Sequence, residues 1–128
     1  MPTWIGSLTN LGHLAINNNP NMAGTIPTEI GLLTELTGLE LEHSGLSGTI
    51  PSVLGNLLKL SHLNIVNDNL KGTVPPSLCQ LTALSSLVVT ENGLDEGLTC
   101  APLCLTTVAM LEMNTTTATV CPSGQDDG

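Results

Sequence analysis

One pattern returns every 24 residues along this chain, and it limits the possible folds more than any other feature. Leu33-Thr34-Glu35-Leu36-Thr37-Gly38-Leu39-Glu40-Leu41 runs on to Gly48-Thr49-Ile50-Pro51. Leu57 to Ile65 repeats it and runs on to Gly72-Thr73-Val74-Pro75, and Leu8 to Ile16 ends in Gly24-Thr25-Ile26-Pro27. Repeats start at Leu8, Leu33, Leu57 and Leu81, and Leu105, Val108, Leu111 and Met113 fill the apolar slots of a fifth. The first repeat carries one extra residue, which falls in the turn-forming stretch Asn17-Asn18-Asn19-Pro20-Asn21 and should leave the strand before it intact. A period of this length predicts a solenoid, in which each unit buries its apolar face only against its neighbours.

The spacing within a repeat predicts the path of one turn. The last two apolar slots alternate, which means a strand with those side chains facing the core. Leu39 and Leu41, Leu63 and Ile65, and Leu87 and Val89 should stack in parallel rungs ~4.8 Å apart. Five rungs are expected, centred on 14–16, 39–41, 63–65, 87–89 and 111–113. The column Asn19, Ser44, Asp68, Asn92 and Thr116 places short polar side chains at the bend leaving each strand. There they can bond backbone groups that would otherwise be buried unpaired. The Gly-Thr-Ile-Pro segment should cross the convex side in turns and short extended or helical pieces, with Ile30, Leu54 and Leu78 returning to the core.

Composition narrows the function. The 128 residues carry only two Lys or Arg and a formal net charge of -9, which excludes binding by phosphate neutralisation. No apolar run approaches a membrane span, so no membrane contact is expected of this segment. Phe and Tyr are absent and Trp4 is the single aromatic, so the core must be aliphatic. No nucleophile motif or phosphate loop points to catalysis, and no cofactor is implied.

The pattern resembles the plant-specific class of leucine-rich repeats. Leu33–Asn56 follows that consensus with Ser44 in its Asn slot, and Leu57–Gln80 follows it with Asp68 there and Cys79 in place of Gly. The resemblance implies an α/β-class horseshoe with a parallel sheet on the concave face. Such repeats occur in ectodomains of receptor-like kinases and receptor-like proteins, in secreted polygalacturonase inhibitors, and in algal and diatom proteins. It divides the chain into a remnant of a preceding repeat (1–7), four repeats (8–32, 33–56, 57–80, 81–104) and a partial fifth with a cysteine-containing tail (105–128). Met1 takes the isoleucine slot of a preceding repeat, as Met1-Pro2-Thr3-Trp4-Ile5-Gly6 aligns with Ile26-Pro27-Thr28-Glu29-Ile30-Gly31. The expectation is a piece of a longer protein, with the edge of its first strand open. No signal peptide is legible.

Cysteine use suggests a secreted or cell-surface setting. Cys79 and Cys104 sit in nearly equivalent places one repeat apart, and a rung step of ~4.8 Å suits a disulfide. Cys100–Cys121 would then tie down the tail. A zinc site at Cys100-x-x-x-Cys104 lacks the paired close spacings of zinc motifs, and free thiols are the other alternative. Asn114-Thr115-Thr116 is a glycosylation sequon.

The candidate ligand-binding surface is the concave face. Its varying side chains are His13, Asn17, Glu40, Glu42, His43, His62, Asn64, Asn67, Thr90, Glu91 and Glu112. Small, polar and mildly acidic, they suit a polar or basic peptide, or another protein. Carboxylate and imidazole among Glu40, Glu42, His43 and His62 could meet, but solvated strand positions account for them. The expected function is a non-catalytic scaffold binding a protein or peptide. The alternative is a secreted module binding carbohydrate, ice (through the column Thr25, Thr49, Thr73) or a cell-wall enzyme.

Overall fold

A computed structural model describes residues 1–95 of the chain. Seven strands follow in order: β1 (His13–Asn17), β2 (Gly38–Glu42), β3 (Ser47–Thr49), β4 (His62–Val66), β5 (Asn69–Gly72), β6 (Ser86–Val88) and β7 (Gly93–Leu94). The concave sheet has the order β1-β2-β4-β6, all parallel. Its register carries Leu14 to Leu39 to Leu63 to Leu87, and Ile16 to Leu41 to Ile65. The first four expected rungs are therefore present, and β1 keeps full register despite the insertion that follows it. The fifth, at 111–113, lies outside the described residues.

The convex side holds the expected turns and short extended or helical pieces, and the extended ones pair with one another. β3, β5 and β7 make a second parallel sheet, extended by a bridge from Thr25 to Ser47. Ser47 pairs with Asn69, 22 positions on, where Leu39 pairs with Leu63, 24 on, so these strands are staggered. Gly24, Gly48 and Gly72 adopt φ values of 78–83° just before, within and at the end of these segments, a backbone only glycine takes without strain. Single 3-10 turns then close each rung at Thr3–Ser7, Thr28–Leu32, Ser52–Asn56 and Pro76–Gln80. Each follows a proline (Pro2, Pro27, Pro51, Pro75) in extended geometry, where a missing backbone donor costs nothing.

The core is aliphatic, as the composition requires. Leu33, Leu36, Leu39, Leu41, Leu57, Leu60, Leu63 and Ile65 are fully buried, with Ile30, Leu54 and Leu78 closing it from the turns. Each such side chain contributes about 1.5–3 kcal/mol. Successive 3-10 turns approach so closely that a glycine is required between them. A Cβ on Gly31 would come 2.8 Å from Val53 Cβ, and one on Gly55 2.6 Å from Ser77 Cβ and 2.7 Å from its carbonyl oxygen.

The short polar column satisfies the bends. Ser44 Oγ donates to the Ile16 carbonyl at 2.8 Å. Asp68 Oδ1 accepts from the Ser44 and Leu46 amides, both at 3.0 Å. Asn92 Oδ1 accepts from Asp68 N and Leu70 N, while its Nδ2 donates to the Ile65 and Thr90 carbonyls. Asn19 is exposed and reaches only the Asn17 carbonyl, and Thr116 lies outside the described residues. Cys79 is half-buried and disulfide-bonded. Cys100, Cys104 and Cys121 lie outside the described residues, as do 96–104 of the repeat 81–104 and all of 105–128.

Candidate ligand-binding face

Alternation within β1, β2, β4 and β6 sends every second side chain to the concave surface, because the others stack in the core. Two polar clusters form there. In the first, His13 Nε2 lies 3.3 Å from Glu40 Oε1, and Asn17 Nδ2 donates to Glu40 Oε2 at 3.3 Å. Asn17 Oδ1 accepts from the Glu42 amide at 3.2 Å. The His13 ring reaches Glu40 because Gly38 leaves room: a Cβ at 38 would collide with the imidazole Nδ1. In the second, Asn64 Nδ2 donates to Glu42 Oε1, while Asn64 Oδ1 is buried without a partner. One turn further, Asn67 Nδ2 donates to Glu91 Oε2 at 3.0 Å.

Three carboxylates are thus each held by an asparagine amide from the neighbouring rung. The contacts are diagonal for Asn17–Glu40 and Asn64–Glu42, within the reach of cross-strand neighbours. Among the described residues no Lys or Arg pairs with these carboxylates. Lys59 bonds Glu35 at 2.6 Å elsewhere, and Lys71 is exposed on the convex β5. The face therefore offers fixed acceptors and negative charge with no Lys or Arg paired to it, His13 being the one basic side chain against these carboxylates among the described residues.

Two of the remaining expected residues stand apart. His43 is exposed at φ 49°, in a column of left-handed residues with Asn18, Asn67 and Glu91 where each chain leaves the sheet. His62 is exposed, with its Nδ1 2.7 Å from Ser61 Oγ. The imidazole that meets a carboxylate is that of His13, rather than His43 or His62. Thr90 is a correction: it is only 8% exposed and is no surface residue. β6 stops at Val88, so the alternation that would turn Thr90 outward ends two residues before it. Glu112 and Asn114 lie outside the described residues.

The Asn–Glu pairing and the role of Gly38 went unread in the sequence. The available signal was Glu and Asn two slots apart in adjacent repeats, which the register turns into diagonal neighbours. On the convex side Thr25, Thr49 and Thr73 are all exposed, one per rung. They line an open depression of about 830 Å³ with Thr28, Ser52, Pro51 and Pro75. No described helix is long and apolar enough to cross a membrane.

No family model and no curated protein matches the chain. Solved structures do. A plant ice-binding protein shares 36% identity and a TM-score of 0.70 over 73% of this chain. The plant peptide hormone receptor RGFR1, in complex with RGF2, shares 35% identity and a TM-score of 0.71 over 73%. The BIR3–SERK2 complex from Arabidopsis thaliana shares 28% identity and a TM-score of 0.70 over 75%. The chain spans only 30%, 15% and 51% of those proteins, respectively. By its repeat, its parallel concave sheet and these likenesses, the chain is a leucine-rich-repeat solenoid of the plant type.

Proposed function

We propose that this chain is a non-catalytic recognition scaffold that binds a cationic protein or peptide segment on its concave face. The supporting observation is the row of carboxylates, Glu40, Glu42 and Glu91, each held by an asparagine amide and none paired with lysine or arginine. Held acceptors lose little side-chain freedom on binding, which favours affinity. Likeness to a plant peptide hormone receptor supports the same class of partner. The setting proposed is extracellular, in a secreted or membrane-anchored parent, with Cys79–Cys104 and Cys100–Cys121 as disulfides and Asn114 as a glycan site.

The test uses synthetic peptides of matched length that are cationic, neutral or acidic, with calorimetry on the intact chain. Cationic peptides should bind, and Glu40→Gln with Glu42→Gln should weaken them by about tenfold or more. Equal binding of the three peptides, or indifference to the double substitution, would sink the reading.

A second reading rests on the convex side. Thr25, Thr49 and Thr73 present a repeated hydroxyl and methyl at rung spacing, and a plant ice-binding protein is among the similar structures. Thermal hysteresis that disappears in Thr49→Lys would favour an ice-facing surface; no hysteresis in the unaltered chain rejects it.

A further inference from the structure

The concave face divides into two halves of different chemistry. In register, Glu40 of β2 is followed by Asn64 of β4 and Val88 of β6, and Glu42 is followed by Val66. Columns that are acidic on β2 therefore become aliphatic on β4 and β6. Val66 and Val88 are half-buried, on the opposite side of their strands from the core residues Leu63, Ile65 and Leu87. They are diagonal neighbours about 7–8 Å apart, a gap that two short side chains do not bridge. Asn64 lies between the halves, and its amide is committed to Glu42 on the acidic side. Thr90, which continues the column of Glu42 and Val66, is buried and adds no charge. Glu91 stands further out, on the left-handed rim with Asn67.

We propose, resting on the cationic-ligand reading above, that the face takes a peptide with a basic and an aliphatic side chain three residues apart in a polyproline-II backbone. The basic group lies over Glu40 and Glu42, and the aliphatic one fills the notch between Val66 and Val88. The spacing follows from the rungs. Glu40 to Val88 is two strand steps of ~4.8 Å, or about 10 Å. A polyproline II segment has three residues per turn and rises ~3.1 Å per residue, so side chains three apart share a face at about 9 Å. A peptide in β conformation alternates faces, and the same separation would turn one of its two side chains away from the surface. The two halves also divide the work. Charge attracts any cationic peptide, whereas apolar contact with the valines depends on what stands three residues away. A polyproline II segment is already extended when free, so it loses little backbone freedom on docking.

Proline-rich peptides of one length test this by calorimetry on the intact chain. They carry arginine and leucine one, two or three residues apart, in both chain orders, and a further peptide has serine in place of leucine. In its better order, the three-residue spacing should bind about tenfold tighter than the serine peptide or the one-residue spacing. Val66→Thr with Val88→Thr keeps the β-branched shape and should narrow the leucine-to-serine ratio to about threefold or less. Equal affinity for the leucine and serine peptides, or no preference in the spacing series, overturns this proposal and leaves the cationic reading standing. A leucine advantage that survives the double threonine substitution puts the apolar contact elsewhere and also overturns it. Failure of every arginine peptide to bind, or equal binding with glutamine in place of arginine, overturns both readings. Peptide affinity that falls as protein concentration rises, with a dimer on sedimentation, gives the face to a second copy and overturns the proposal.

Discussion

Rungs one and two use the same apolar slots and end up in different environments. Leu33, Leu36, Leu39 and Leu41 are sealed, while their counterparts Leu8, Leu11, Leu14 and Ile16 remain partly in water. Side-chain chemistry is nearly constant across the pair, so the difference comes from having a neighbour on two sides or on one. In a solenoid a residue's contribution to stability therefore depends on its rung as much as on its slot.

The largest effect expected from this contrast is in the core. Leu39→Ala should cost about 3–5 kcal/mol, because the sealed site cannot collapse around the cavity. Leu14→Ala should cost about 1–2 kcal/mol, since less surface is removed from water there. Urea unfolding of the two variants tests this, and equal losses would break the comparison.

Glycines sharpen it next. Gly55→Ala drives a methyl into the Ser77 backbone and should cost about 1–3 kcal/mol. Gly12, in the first rung, has nothing within 4 Å of an added Cβ. Gly12→Ala should be neutral or stabilising by up to about 1 kcal/mol. Thermal melts of both variants should move in different directions or by clearly different amounts.

A smaller effect compares rungs three and four. Asn92 uses both ends of its amide, whereas Asp68 Oδ2 is buried with no partner at the atom where Asn92 carries its donors. Asp68→Asn should stabilise by about 1 kcal/mol, by supplying a donor to the carbonyls of that bend. A lower denaturation midpoint for this variant would show that the two bends are not equivalent.

The smallest effect lies at the surface. Lys59→Ala removes an ion pair with Glu35 in which both side chains are about half exposed. It should change stability by about 0.5 kcal/mol or less, and less still in high salt. A salt-insensitive loss above 1 kcal/mol would place Lys59 in a packing role.

Much of this was legible beforehand because one physical rule was repeated. Period-two alternation inside a 24-residue unit placed β2 and β4 and named their core residues, since the chain has nowhere else to bury so many aliphatics. The polar column at Ser44, Asp68 and Asn92 was readable for the same reason: a buried bend must satisfy its backbone. Thr90 was misplaced because alternation says which way a strand residue points but not where the strand stops.

The chain's own order of residues determined the solenoid, the parallel register, the aliphatic core and the acidic balance, all of which follow from local spacing and composition. Only the tertiary structure decided how the concave groups meet. His13 reaches Glu40 across the gap at Gly38, Asn17 and Asn64 hold carboxylates on the next rung, and the convex segments pair into a second sheet. Those contacts join residues 22–27 positions apart through space, and their distances depend on rung stagger and side-chain direction, which no single repeat encodes.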